Sequence, residues 1–113
     1  MLKILLDTSF IIDSIRYKID IKDNLKDILL EPFELFIIEK TLKELEKKRL
    51  NKLILEMIKD LNIIKSPLTH VDEAILSLEG YLVATQDKEL KRRLKAKGIK
   101  TISIISKGKY ILK

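Results

Sequence analysis

Short apolar runs that alternate with helix-like segments are the feature that most constrains the fold of this chain. Residues 2–6 are apolar except for Lys3 and end at Asp7, and residues 35–38 and 81–84 are apolar throughout. Such short runs with polar stops are typical of strands buried on both faces of a parallel sheet. No apolar run exceeds four residues, so the sequence predicts no transmembrane helix, no signal peptide and no membrane partner.

The segments between these runs have apolar residues at helical spacing. We predict helices near residues 10–15, 25–29, 41–48, 50–61, 71–78 and 88–97, and further strands at 101–105 and, at the sheet edge, 110–112. Strands that alternate with helices predict an α/β fold with a central, mainly parallel sheet of four to five strands, covered on both faces. With 113 residues, the chain is expected to form one domain, residues 1–113.

The composition excludes several kinds of chemistry. The chain has no cysteine, which excludes disulfides, thiolate nucleophiles and Cys-rich zinc sites, and a reducing, cytoplasmic location is expected. Its single histidine, His70, cannot form a histidine metal cage, and we expect it to be a surface or capping residue.

Four carboxylates fall in the first turns of predicted helices, and three of these turns directly follow a strand. They are Asp7, Glu44, Asp72 and Asp87. Ligands of open parallel sheets bind outside the carboxyl ends of the strands, so these acids are expected to meet in one crevice. Each also has a purely structural interpretation. Asp7 and Asp87 can be N-caps, and Glu44 and Asp72 have capping-box spacing from Thr41 and Thr69.

Carboxylates that lie close together raise one another's pKa unless a cation neutralises them. Mg²⁺ and Mn²⁺ prefer oxygen ligands and need only one or two carboxylates per ion, so either ion suits this cluster. Such ions activate water and stabilise charge on a phosphoryl oxygen. The cluster therefore predicts hydrolysis of phosphodiesters.

Basic residues are concentrated in the last quarter of the chain. Residues 88–113 contain ten basic side chains and one acidic side chain, whereas residues 1–87 contain 13 basic and 16 acidic ones. The helix after Asp87 is predicted to carry an RNA-binding surface formed by Lys88, Lys91, Arg92, Arg93 and Lys95. A solvated helix face is the alternative, although the stripe lacks the interspersed acids that such a face normally carries.

Four segments, spread over nearly the whole chain, carry a family resemblance. They are KILLDTSFIID (3–13), TLKELEKK (41–48), VDEAIL (71–76) and YLVATQDKELKRRL (81–94). Together they resemble the PIN-domain ribonucleases. The last segment, with GIKTISIISKGKYIL (98–112), is most similar to the ribosome-processing, small-subunit processome type of PIN protein and its archaeal relatives, and less similar to VapC-type toxins. The resemblance implies one PIN-like domain with a three-layer α/β/α fold.

The resemblance also implies a Mg²⁺- or Mn²⁺-dependent ribonuclease in RNA processing. By motif position, the catalytic, metal-holding acids would be Asp7, Glu44, Asp72 and Asp87, with Ser9 and Thr85 in support. Glu46 could take the place of Glu44, and Glu73 that of Asp72. Gln86 departs from the family by standing where Asn is usual, which would leave a longer amide near the metal. The stretch between Glu44 and Asp72 is also short for the family.

Two other functions stay open from the sequence. One is a catalytically weak or inactive RNA-binding module with a ribosome-assembly partner, and the other is a VapC-like toxin with an antitoxin partner. The oligomeric state, including a homodimer, also stays open from the sequence. The four retained acids favour the nuclease.

Overall fold

The chain folds into a mainly parallel sheet with helices on both faces. The computed structural model describes residues 1–48, 56, 59–106 and 108–113. The elements follow in the order β1 (Leu2–Leu6), α1 (Thr8–Arg16), α2 (Ile21–Ile28), β2 (Phe33–Ile38), α3 (Glu39–Lys47), β3 (Asn62–Ile64), α4 (Val71–Ser77), β4 (Leu82–Ala84), α5 (Lys88–Ala96), β5 (Thr101–Ser106) and β6 (Lys109–Leu112).

β1 occupies the middle of the sheet, whose strand order is β3-β2-β1-β4-β5-β6. It pairs in parallel with β2 on one side and with β4 on the other. β3 and β5 extend the sheet in parallel, and β6 forms an antiparallel edge on β5. The chain thus builds outward from β1 first on one side and then on the other. That reversal makes the carboxyl ends of β1 and β4 a topological switch point, where open α/β sheets bind their ligands.

The alternation of side chains along β1 divides the core into two halves. Ile4 points into a cluster with Phe10 of α1 and Leu25 of α2. Leu5 points to the opposite face, into a cluster with Ile75 of α4 and Leu90 of α5. Each such buried side chain stabilises the fold by about 1.5–3 kcal/mol. The predicted α/β/α layers and the mainly parallel sheet are confirmed.

The sheet has one strand more than the four to five that the sequence predicts. β3 pairs with the end of β2 through Asn62 and Ile63, and Ile63 is 47% exposed. β3 has only three residues, of which Asn62 is polar and Ile63 is exposed, so it lacks the continuous apolar run by which buried strands are predicted. The helix predicted over residues 50–61 falls largely outside the described residues.

The other predicted helices and strands are present within a few residues of their expected bounds. None of the helices in the described ranges combines the length and apolar character that crossing a membrane requires.

Candidate active site

Asp7 follows β1 directly and lies at the switch point. Its backbone N–H donates to the carbonyl of Ala84, the last residue of β4, at 2.9 Å, so the two strand ends are joined there. Asp7 is only 6% exposed and occupies the N-cap position of α1, yet its side chain makes no capping hydrogen bond. A buried carboxylate that does not cap its helix is not explained by the capping interpretation.

Two hydroxyl groups hold the Asp7 carboxylate in place. Ser9 Oγ and Thr85 Oγ1 both donate to Asp7 Oδ2, at 2.8 and 2.7 Å. The hydroxyl oxygens in turn accept backbone N–H groups of Gln86 and Asp87, each at 3.1 Å. Within the described part of the chain, no hydrogen bond reaches the other oxygen, Asp7 Oδ1, which is therefore available to a ligand.

Asp87 ends the loop after β4 and directly precedes α5. Its Oδ1 accepts the backbone N–H of Leu90 at 3.0 Å, so Asp87 is an N-cap, as the structural interpretation predicted. One carboxylate oxygen is sufficient for the cap. Capping and a role in the site are therefore compatible for this residue.

The four predicted acids line one pocket of about 280 Å³ above the carboxyl ends of β1 and β4. We call it the acidic pocket; its lining consists of Asp7, Thr8, Ser9, Ile12, Glu44, Lys48, Val71, Asp72 and Asp87. Larger depressions of about 500 and 600 Å³ contain none of the four acids. Both contain other carboxylates beside lysines, and a further depression of about 420 Å³ shares Glu44 and Asp72 with the acidic pocket.

The pKa of Asp72 is affected by neighbouring carboxylates. Its pKa is raised above its usual range, first by partial burial and then by the negative charges of Asp7 and Asp87. Arg93 opposes this shift from the side of α5. Asp72 is therefore close enough to Asp7 and Asp87 to interact with them electrostatically, as the strand-end rule predicts.

Glu44 enters the pocket from a position that the sequence pattern did not give. α3 begins at Glu39, immediately after β2, so Glu44 lies in the second turn and not at the start of the helix. The predicted capping box of Thr41 and Glu44 is wrong, because the N-cap position is Ile38. Glu46 on the same helix is exposed and does not line the acidic pocket.

The start of α4 also differs from the capping pattern in the sequence. Its N-cap position is His70, which is exposed and makes no side-chain cap, so the capping box of Thr69 and Asp72 is also wrong. Glu73 points to α5, where its Oε1 accepts Arg93 Nη2 at 3.0 Å. Asp72, and not Glu73, lines the acidic pocket.

The Gln86 side chain does not face the acidic pocket, contrary to our expectation. Its Oε1 accepts the backbone N–H of Ile104 at 2.7 Å, and its Nε2 donates to the carbonyl of the same residue at 3.5 Å. The longer amide reaches sideways and pairs with the backbone of β5. It acts as an extension of the sheet beyond β4.

The donor chemistry of the acidic pocket fits a hard divalent ion. Carboxylate and hydroxyl oxygens are what Mg²⁺ and Mn²⁺ prefer, and one or two carboxylates per ion are sufficient. In the described ranges, no three acidic or histidine side chains stand close enough together to enclose a metal. The fit is therefore to ions that complete their coordination with water, and not to a closed protein cage.

The structure separates the five predicted RNA-binding side chains into two groups. Lys88, Lys91 and Lys95 share one face of α5, which we call the lysine face. The pKa of Lys91 is lowered, first by burial and then by the charges of Lys95, Lys88 and Lys113, while Asp87 opposes the shift. Lys113 of the C-terminal segment therefore lies near this face, although the sequence did not single it out.

The two arginines lie on the side of α5 that faces α4. Arg92 binds both carboxylate oxygens of Glu89, and Arg93 pairs with Glu73. The sequence argument that no acids accompany the stripe is wrong for these two residues. Lys97 is also engaged, since its Nζ donates to the carbonyl of Leu76 at 2.6 Å.

Lys48 is a residue of the acidic pocket that our sequence reasoning missed. Its spacing of four residues from Glu44 was the available signal, because residues at i and i+4 share a helix face.

An acidic pocket at the switch point of a parallel α/β sheet suits the chemistry of a nuclease, and comparisons with known proteins agree with that class. No family model matches the chain. A curated relative, Ribonuclease VapC4 of Methanocaldococcus jannaschii, is 31% identical over 125 residues, an alignment that covers 97% of this chain and 95% of the relative. The solved structure of the PIN domain endonuclease Utp24 matches with a TM-score of 0.80 at 30% identity, covering 98% of this chain and 90% of the other. The chain belongs to the PIN-domain ribonuclease family.

Proposed function

We propose that this protein is a Mg²⁺- or Mn²⁺-dependent ribonuclease that hydrolyses RNA phosphodiesters at the acidic pocket, in RNA processing. The observation that carries the proposal is Asp7, a buried carboxylate at the switch point. It leaves its own helix uncapped and is instead held by Ser9 and Thr85.

In this proposal Asp7, Glu44, Asp72 and Asp87 hold the ions. When bound, a divalent ion supplies an activated water and neutralises charge on the phosphate. Ser9 and Thr85 fix Asp7 Oδ2 and leave Oδ1 for ligation. The lysine face begins one residue after Asp87 and attracts the RNA backbone toward the acids through its charge.

The test compares variants that remove one charge and preserve shape. We expect Asp7→Asn and Asp87→Asn to abolish Mn²⁺-dependent cleavage of RNA. Asn is as good an N-cap as Asp, so Asp87→Asn should preserve the start of α5. Circular dichroism checks folding in parallel. A folded Asp87→Asn variant with wild-type cleavage would support the capping interpretation of Asp87 instead, because Asn preserves the cap.

Glu44 and Glu46 provide a matched pair on α3. We expect Glu44→Gln to lose Mn²⁺ affinity and cleavage, and Glu46→Gln to match the wild type, because only Glu44 lines the pocket. Calorimetric titration with Mn²⁺ measures the affinity. Equal losses in both variants would contradict the assignment of Glu44. RNA binding without any carboxylate-dependent metal binding would indicate the inactive RNA-binding module.

A VapC-like toxin is the second candidate, favoured by the name of the curated relative, Ribonuclease VapC4. Its test is growth arrest on expression, relieved by co-expression of a neighbouring open reading frame that encodes an antitoxin. Growth that is unaffected by active protein would favour the processing role.

A further inference from the structure

Lys48 is the basic side chain on the wall of the acidic pocket. Among the described residues that line this pocket, no other side chain is cationic. Lys48 follows α3 at its C-cap position, one turn after Glu44, and both residues lie on the helix face that borders the pocket.

Lys48 has no carboxylate partner within the described part of the chain. No ion pair involves it in the described ranges, and the residues outside those ranges include no Asp or Glu. Arg92 and Arg93, by contrast, are both paired with glutamates. The Lys48 ammonium is therefore available to an anionic ligand.

A cation near the C-terminus of a helix also has an ordinary structural role, since it interacts favourably with the helix dipole. Lys47 fills that role in the last turn of α3. Lys47 does not line the acidic pocket, whereas Lys48 does. The dipole accounts for a lysine at this helix end, but not for an unpaired ammonium on the wall of a pocket that contains four carboxylates.

An RNA phosphate that enters this pocket meets four carboxylates. Charge on the phosphoryl oxygens has to be stabilised there during hydrolysis, and a positioned cation is one group that does so. A lysine suits this task as a compact charge on a flexible stem.

We propose that Lys48 is a substrate-binding catalytic residue, whose ammonium group contacts the phosphate undergoing hydrolysis. This assignment rests on the proposed ribonuclease function. Lys48 acts separately from the lysine face, which binds phosphates outside the pocket.

The test uses the full chain as Lys48→Met, Lys48→Arg and the control Lys47→Met, with Asp7→Asn as the inactive reference. At saturating Mn²⁺, we expect Lys48→Met to lower kcat/KM for a short RNA about 10²-fold. Lys48→Arg should recover much of that loss, and Lys47→Met should match the wild type. Calorimetry should show that Mn²⁺ binds Lys48→Met at least as tightly as wild type, because a repelling charge is gone.

A merely structural role predicts a different pattern. It would lower the unfolding temperature of Lys48→Met well below that of Lys47→Met and weaken Mn²⁺ binding together with activity, and this result would overturn the proposal. An active wild type with unchanged kcat/KM in Lys48→Met would also overturn it while leaving the ribonuclease intact. A wild type that binds RNA without cleaving it would overturn both.

Discussion

Replacing Thr85 by Val tests how the acidic pocket is held together. Thr85 Oγ1 donates to Asp7 Oδ2 at 2.7 Å and accepts the N–H of Asp87 at 3.1 Å, and Thr85 is fully buried. A hydrogen bond to a charged group contributes about 1.5–3 kcal/mol, and a buried N–H left unpaired costs about 1 kcal/mol or more. We therefore expect Thr85→Val to lower the free energy of unfolding by about 3 kcal/mol.

Thr41 provides the matched control. It is also fully buried, but its Oγ1 has no hydrogen-bond partner among the described residues. Thr41→Val removes an unsatisfied polar atom without changing the shape, so it should be neutral or should stabilise the protein by about 1 kcal/mol. Thr85→Ser keeps both hydrogen bonds and loses one methyl group, at a cost of about 1 kcal/mol.

Urea unfolding of the metal-free protein measures these differences, and calorimetry measures Mn²⁺ affinity. Substituting a group that orients a metal ligand typically costs about 10–100-fold in affinity or activity, so Thr85→Val should weaken Mn²⁺ binding by that factor. Thr41→Val should leave it unchanged. The reasoning would be refuted by equal unfolding free energies for Thr85→Val and Thr41→Val, or by wild-type Mn²⁺ affinity in Thr85→Val.

Two further predictions concern the lysine face and the buried tyrosine. Replacing Lys88, Lys91 and Lys95 by Gln should reduce the salt dependence of single-stranded RNA binding, by about 0.7 in log K against log salt for each phosphate that the protein no longer neutralises. The control variant Glu89→Gln/Arg92→Gln removes one ion pair without changing the net charge, so it should keep the wild-type slope. Filter binding at several salt concentrations measures the slopes, and equal slopes for the two variants would contradict the prediction. Burial raises the pKa of Tyr110 from 10.0 to about 12, so the stability it contributes is complete below pH 10 and lost as the pH rises through 12. Tyr110→Phe loses the hydrogen bond to Ser14, worth about 1 kcal/mol, and has no hydroxyl to ionise. Between pH 10 and 12 its unfolding free energy should therefore fall by about 3 kcal/mol less than that of the wild type. Parallel curves of unfolding free energy against pH for the two proteins would be contrary evidence.

The fold could be predicted because its strongest patterns are buried on both faces. β1, β2 and β4 are nearly uninterrupted apolar runs, and such runs have few alternatives to a parallel sheet covered by helices. β3 could not be predicted in this way, since Ile63 faces solvent and the strand is formed through pairing with β2. A pairing that depends on a neighbour distant in sequence leaves no local periodic pattern.

The candidate site was predictable to the extent that it depends on strand ends. Asp7 and Asp87 are fixed by where β1 and β4 stop, and the strand-end rule placed them together. The capping boxes failed because Thr-x-x-Glu is a local pattern, while the start of α3 is set by the direct continuation of β2 into the helix. The partners of Gln86 and Arg93 depend on how β5 and α4 pack, which no local pattern encodes.

Asp87 lies where the acidic and the basic parts of the chain meet. The formal net charge of +6 combines an acidic pocket with a basic C-terminal quarter, and Asp87 both lines that pocket and caps the helix that carries the lysine face. The effect of Asp87 on the pKa of Lys91 shows that the two surfaces lie within electrostatic reach.

The acidic pocket and the lysine face should nevertheless respond differently to salt. Exposed lysines are screened over about 8 Å at physiological ionic strength, whereas the buried Asp7 is screened much less. Raising the salt concentration should therefore weaken RNA binding well before it weakens metal binding, which separates the contributions of the two surfaces in one protein.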